Sequence, residues 1–290
     1  MNDYLLSVLF GIVEGLTEFL PISSTAHLRI VESLCGISLA DPYWKMYSVV
    51  IQLGAILSVV VYFWPRITRF LKSFPNGDNG DRTILTHPVT LVLVAFVCTA
   101  IPALILKKMV DKNLESLWVI GTSMLVGGVV MWAVDVICTR PRTMEVEKMT
   151  LPQSIWIGII QIFSAIFPGT SRSMATIAAG QSAGMSRAAA LEFSFYLSIP
   201  TMVAATGKEL YDTLKQGLHH SATTQAAAAL HLSGQQWVVL AIGFVVSFIV
   251  ALGVIAWFIH WVRKHGFVPF AIYRLIVGLA VLIWARQAGL

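Results

Sequence analysis

Charge is what this chain has least of. Of its 290 residues, 12% are Asp, Glu, Lys or Arg, against 57% hydrophobic. Soluble domains carry about 25% charged residues, so a water-soluble fold of this size would lack its polar coat. Disorder is excluded by the same poverty of charge. Cysteine is nearly absent as well. Cys35, Cys98 and Cys138 share no CxxC spacing, which excludes a disulfide scaffold and favours buried structural thiols over a metal or redox site. Met1-Asn2-Asp3-Tyr4 carries no basic stretch or cleavage site, and the N-terminus is expected to be retained.

What remains is an all-α polytopic integral membrane protein, with a mean hydropathy of +0.76. Spanning a bilayer takes about 20 residues. Six clean candidates are 47–64, 88–106, 117–138, 188–206, 237–259 and 268–285. Trp44, Trp64, Trp118, Trp237, Trp261 and Trp284 lie near their ends, as an interfacial aromatic belt would. The net charge of +5 then reads as a topology signal and not as a nucleic-acid surface.

Two further apolar stretches break early. Residues 4–20 stop at Pro21, and residues 153–167 stop at Pro168-Gly169. Each is followed by a Ser/Thr-rich turn and a short second arm, near 24–36 and 171–184. Proline and small polar residues break helices, and broken helices at membrane depth must be buried in protein. Both stretches are therefore read as re-entrant helical hairpins, about 4–36 and 153–184. A single offset of 147 lays Gly11-Ile12-Val13-Glu14 over Gly158-Ile159-Ile160-Gln161 and Leu20-Pro21 over Phe167-Pro168. It also places Arg172 opposite Thr25. The chain thus reads as one membrane domain, 1–290, of two pseudo-repeats, about 1–147 and 148–290.

Basic residues orient it. With loop 65–87 (Arg66, Arg69, Lys72, Arg82) cytoplasmic, 139–151 and 260–267 are cytoplasmic too, and 207–236 faces out. Lys107, Lys108 and Lys112 vote the other way. The hairpins then enter from opposite sides, an inverted-topology repeat with its site near the midplane. That architecture makes transport of a lipid phosphate one functional reading.

The chemistry sits in the hairpins. Glu14 and Glu18 are i,i+4 neighbours on one helical face, and an ionised carboxylate at mid-membrane costs about 2.5–3.5 kcal/mol. Unless both merely face water at headgroup level, they share a proton, a divalent cation or a cationic partner. Beyond them, Ser23-Ser24-Thr25 and His27 offer hydroxyls, helix-start N–H groups and an imidazole: an anion site with a candidate nucleophile or acid–base group, or simply a helix cap. In the second hairpin Thr170-Ser171-Arg172-Ser173 sets a planar guanidinium among three hydroxyls, a phosphate cradle in principle. Gln52, Tyr47 and Glu192 are candidate supporting groups, and Glu192, early in an apolar span, requires a partner. His219, His220 and His231 are read as part of a solvated outer loop.

Glu14-Gly-Leu-Thr-Glu18-Phe-Leu-Pro-Ile-Ser-Ser-Thr-Ala-His27 and Pro168-Gly-Thr-Ser-Arg-Ser173 resemble the two signature motifs of bacterial undecaprenyl-pyrophosphate phosphatases, the bacitracin-resistance family. Ile51-Gln-Leu-Gly-Ala-Ile56, Glu192-Phe-Ser-Phe195, Ile199-Pro200 and Tyr273-Arg274 extend the resemblance along nearly the whole chain. Ala26 and Met174 stand where glycine is common in that family. The resemblance implies a multi-pass inner-membrane hydrolase that converts undecaprenyl pyrophosphate to the monophosphate and phosphate. This recycles the carrier of cell-wall synthesis and confers bacitracin resistance. It implies Mg2+ or Ca2+ at Glu14 and Glu18, Ser24 or His27 as nucleophile, Arg172 as the phosphate-binding arginine, and a site open to the periplasmic side. Direct attack by water stays open. Expected partners are the prenyl pyrophosphate lipid and membrane lipids, not nucleic acid, and a homodimer is allowed.

Overall fold

The computed structural model describes residues 2–37, 41–78, 80, 82–113, 116–219 and 233–287; His220 and His231 fall outside them. Those residues form helices and no named strand. The order is α1 (Asp3–Thr17), α2 (Ser24–Leu34), α3 (Pro42–Tyr62), α4 (Trp64–Ser73), α5 (Pro88–Ile105), α6 (Lys107–Asn113), α7 (Leu117–Ile137), α8 (Leu151–Ile166), α9 (Arg172–Ser182), α10 (Arg187–His219), α11 (Gly234–His265) and α12 (Val268–Gln287).

Helix starts follow local chemistry. Asp41 caps α3 by accepting from the amides of Tyr43 (2.9 Å) and Trp44 (3.3 Å), ahead of a proline suited to the first turn. Ser116 caps α7, and Ser233 with Gln236 closes a capping box on α11. Five helices are long and apolar enough to cross a membrane: α5, α7, α10, α11 and α12. A sixth span is α3 taken with α4, bent by 70° at Phe63. Pro65 follows that hinge and cannot continue the hydrogen-bond ladder. The chain is thus a polytopic membrane protein, with spans at the six expected places.

Three connections differ from the sequence expectation. The stretch from 207, read as a loop, continues α10 to His219. Gly207-Lys-Glu-Leu-Tyr-Asp-Thr-Leu-Lys-Gln ends the apolar run but consists mainly of residues that helices accept. Similarly α11 extends to His265, leaving Gly266 (φ +70°) to turn the chain. Loop 65–87 contains α4. The three cysteines are free and half-buried, not fully buried.

The hairpins arise where proline and serine stop the first arm. α1 ends at Thr17 and α2 begins at Ser24; α8 ends at Ile166 and α9 begins at Arg172. Their bases are tied to different ends of the bundle. Ser7 of α1 donates to the Val239 carbonyl near the start of α11 (2.5 Å), whereas the amides of Arg142 and Thr143, ahead of α8, bond to Gly184 O (2.7 and 3.0 Å) at the start of α10. Helix neighbours form matching sets. α1 packs on α11 and α11 on α3, as α8 packs on α5 and α5 on α10, while α3 meets α10 and α7 meets α12.

The first of these seams is unusually close. A Cβ on Gly54 would stand 2.4 Å from the Phe244 carbonyl oxygen, and one on Gly15 2.8 Å from that of Ser247. Small residues allow such backbone approach within membranes. Gly54→Val should therefore force α3 off α11 and cost about 1–3 kcal/mol, read as a lowered unfolding temperature in detergent, with Cys98→Ser as a near-neutral control. A valine variant that melts with the wild type would show that the seam has slack.

Candidate active site at the hairpin tips

Both second arms start on a serine in an uncommon conformation. Ser23 (φ 74°) and Ser171 (φ 71°) are the positive-φ residues other than glycine among those described. Each side chain accepts from the backbone N–H three residues on, Ala26 (3.4 Å) and Met174 (3.3 Å). Non-glycine residues held in this region mark strain retained at functional sites. The capping also corrects the tip register. Ser171 lies 148 positions after Ser23, not 147, because the stretch from Pro168 to Ser171 is one residue longer than that from Pro21 to Ser23. Arg172 therefore occupies the helical position of Ser24, not of Thr25.

The two tips meet through charge. Ser24 Oγ donates to Glu18 Oε2 at 2.6 Å. The other oxygen, Oε1, accepts from Arg172 Nη2 at 3.4 Å. Arg172 Nη1 donates to the Ser194 carbonyl of α10 at 3.0 Å, and its Nε is buried with no partner. A single carboxylate therefore holds a hydroxyl of one hairpin and the guanidinium of the other, all nearly sealed from solvent. Ser171 and Ser173 hydroxyls lie 3.0 Å apart, and Ser173 Oγ donates to the Leu20 carbonyl (2.9 Å), a further tie between tips. Thr170 and Thr25 are half-buried beside this cluster.

Glu14 is fully buried beside Glu18, and neither of its oxygens has a hydrogen-bond partner. Its sequence counterpart Gln161 is neutral, and its amide nitrogen donates to the Thr99 and Thr201 hydroxyls at 3.2 Å each, while its Oε1 is also buried without a partner. Buried carboxylate oxygens without donors are what hard divalent cations bind. Among the described residues no three His, Cys, Asp or Glu side chains converge, so Glu14 and Glu18 are the acidic residues that fit a cation here. The remaining ligands would be hydroxyls, water or phosphate oxygens.

His27 is held away from Ser24. Nδ1 lies 2.7 Å from the Ser23 carbonyl and so carries the proton, and Nε2 lies 2.7 Å from the Tyr273 hydroxyl. The two rings stack at 5.6 Å. Both ring nitrogens are thus engaged away from Ser24. Two of the candidate supporting groups, Tyr47 and Glu192, are engaged with other partners. Tyr47 donates to the Ser7 carbonyl (2.9 Å) in the α1–α3–α11 seam. Glu192 pairs with Arg66 and accepts from Tyr196 (2.8 Å). Gln52 is half-buried on α3.

Arg274 is the residue that spacing and composition missed. Wholly buried in α12, it donates to three carbonyls: Pro21 of the first tip (3.1 Å), Gly169 of the second (2.9 Å) and Ser123 of α7 (3.2 Å). Gly127 makes room, since a Cβ there would meet its Nη2 at 2.2 Å. An arginine within an apolar span was the available signal.

A carboxylate shared between a hydroxyl and a guanidinium, under two helix starts inside a membrane bundle, defines a class: a multi-pass membrane protein with a buried, charged site between two broken helices. The chain belongs to the family described as Bacitracin resistance protein BacA, matching it over residues 7–280. It is 58% identical over 288 residues to the undecaprenyl-diphosphatase of Koribacter versatilis (strain Ellin345), covering 99% of this chain and 100% of that one. It is 40% identical over 284 residues to the enzyme of that name from Bradyrhizobium sp. (strain BTAi1), with 98% and 97% covered. With that of Caldanaerobacter subterraneus subsp. tengcongensis it shares 38% identity over 280 residues, with 96% and 95% covered.

Arg274→Leu should leave three carbonyls without their donor, at about 1–3 kcal/mol per unsatisfied buried group. The expected result is a large fall in unfolding temperature for Arg274→Leu and a smaller one for Arg274→Lys. Equal melting of Arg274→Leu and wild type would show that the tips are held by other bonds.

Proposed function

We propose that this protein is an undecaprenyl-diphosphatase of a bacterial cytoplasmic membrane, hydrolysing undecaprenyl pyrophosphate to undecaprenyl phosphate and inorganic phosphate. The names of its relatives support this. The observation that carries it is Glu18, whose two oxygens engage Ser24 and Arg172 from opposite hairpins. Phosphoryl transfer is catalysed chiefly by positioning and charge neutralisation, and those are what the tips provide.

In this reading the prenyl chain stays in lipid while the pyrophosphate enters between the tips. Arg172, Ser171, Ser173, Thr170, Ser23, Thr25 and the helix-start amides receive its oxygens. Ser24 is the nucleophile, because its hydroxyl already donates to a carboxylate able to take the proton. Oγ attacks the terminal phosphorus, its proton passes to Glu18, and the bridging P–O bond breaks. The departing lipid monophosphate takes that proton. Water then cleaves the Ser24–phosphate bond, releasing inorganic phosphate and restoring the Ser24 hydroxyl. His27, locked between Ser23 and Tyr273, positions the first tip. Glu14 and Glu18 would hold Mg2+ or Ca2+, which, when bound, offsets phosphate charge.

The orientation belongs to the same proposal. Arg66, Arg82 and Lys148 gather at the end of the bundle where α8 begins, which favours that end as cytoplasmic. The α1–α2 hairpin then opens toward the periplasm. The matching helix neighbours and the two serine caps support an inverted repeat, an architecture also found in carriers.

Arg172→Ala and Glu18→Ala should each abolish phosphate release from a short-chain prenyl pyrophosphate in detergent, while folded protein is retained. Chelation of divalent cations should suppress release, and added Mg2+ or Ca2+ should restore it. Near-wild-type turnover in either variant would remove the site from these residues. A pure carrier would release no phosphate in the absence of a gradient.

A further inference from the structure

A second polar site lies where the α8–α9 hairpin has its base, lined by none of the tip residues. It is a cavity of about 660 Å3 lined by Arg66, Arg69, Arg82, Lys148 and Arg263, with Asp78, Glu145, Glu147 and Glu192. The acids are largely committed. Glu147 takes a two-toothed contact from Arg66 at 2.6 and 2.7 Å, Glu192 pairs with the same guanidinium, Asp78 with Arg69, and Glu145 with Lys148 at 3.3 Å. Arg82 donates to the Glu147 carbonyl. Arg263, in the last turn of α11, has no carboxylate within ion-pair distance among the described residues. Its charge is the one the acids leave over. The Arg69 and Lys148 pairs are solvent-exposed, and such pairs are worth little in water, so they can turn to a better anion.

An apolar groove adjoins the cavity and shares Phe70 and Pro88 with it. It has a volume of about 270 Å3 and is walled by Ile67 and Phe70 of α4, Val89 and Val92 of α5, and Ile199 and Val203 of α10. The helix between cavity and groove is α4, bent 70° from α3. It presents Arg66 and Arg69 to the cavity and Ile67 and Leu71 to the groove, the two-faced pattern of a helix lying in the membrane interface.

We propose that cavity and groove together bind one anionic phospholipid of the bilayer, its phosphate at Arg69, Lys148 and Arg263 and one acyl chain between α4, α5 and α10. Charge and shape select this occupant. The cations exceed the acids, the room is far larger than the roughly 30 Å3 share of a water, and the oily slot leads straight from the polar one. Basic pockets between spans on the cytoplasmic side are where acidic headgroups lodge. The proposal rests on the orientation proposed above and not on the hydrolase chemistry.

Native mass spectrometry of the detergent-purified full chain, with phosphatidylglycerol and phosphatidylcholine of identical acyl chains, tests it. One basic residue near a membrane surface contributes about 1 kcal/mol toward acidic lipid, which is about fivefold in affinity. Wild type should retain phosphatidylglycerol in preference, Arg263→Gln should lose about fivefold of that preference, and Arg69→Gln/Arg263→Gln more. Val92→Trp, which fills the groove, should weaken retention of both lipids. Each variant should keep a cooperative unfolding transition in detergent, which reports folding. Equal retention of the two lipids by wild type would overturn the proposal, as would an unchanged preference in Arg69→Gln/Arg263→Gln. Undiminished phosphatidylglycerol binding by Val92→Trp would reduce the site to an ion-binding surface and overturn the lipid assignment.

Discussion

A helix that stops inside an apolar bundle strands carbonyl oxygens where no water can reach them, and this protein stops two helices there. Hydrocarbon tolerates such breaks only when protein supplies the missing donors. Arg274 supplies them to both tips at once, through Pro21 and Gly169, and anchors them to α7 through Ser123. Ser173 serves the Leu20 carbonyl and Asn113 that of Ile166, so the breaks that make the site are closed by side chains from inside the bundle. With the carbonyls occupied, the hydroxyls and helix-start amides of the tips remain for a ligand.

The two hairpins divide the chemistry unequally. The first carries the acids Glu14 and Glu18 and the Ser24 hydroxyl; the second carries the Arg172 guanidinium. Glu14 illustrates the difference, being an acid buried without a hydrogen-bond donor, while Gln161, at the matching place, is neutral and donates twice from its amide nitrogen. Two carboxylates face one guanidinium across the tips, so a cation or a proton has a reason to join them.

Much of this was legible in the sequence, for reasons that can be stated. Pro21 and Pro168 end the first arms because proline removes a donor in any context, and both breaks sit where the residues placed them. Glu14, Glu18 and Arg172 announced themselves because so few charges interrupt the apolar runs. Partnership was harder to read. Ser24 sits on Glu18 and not on His27, since side-chain pairing depends on where Tyr273, 246 residues away, comes to lie. Glu192 demanded a partner, but Arg66 could be found only once the 70° bend of α3 into α4 brought it near. The end of α10 was misread because loss of hydrophobicity and loss of helix are different events.

The glycine seam limits the routes into the molecule. Gly11, Gly15 and Gly54 bring α1 and α3 so near to α11 that even a methyl group would collide with opposing backbone. A wall that dry admits no isoprenoid chain between its helices. In the proposed reaction a lipid-borne substrate must reach the tips from another part of the perimeter, so three hydrogen atoms in place of methyl groups set the direction from which the membrane would deliver it.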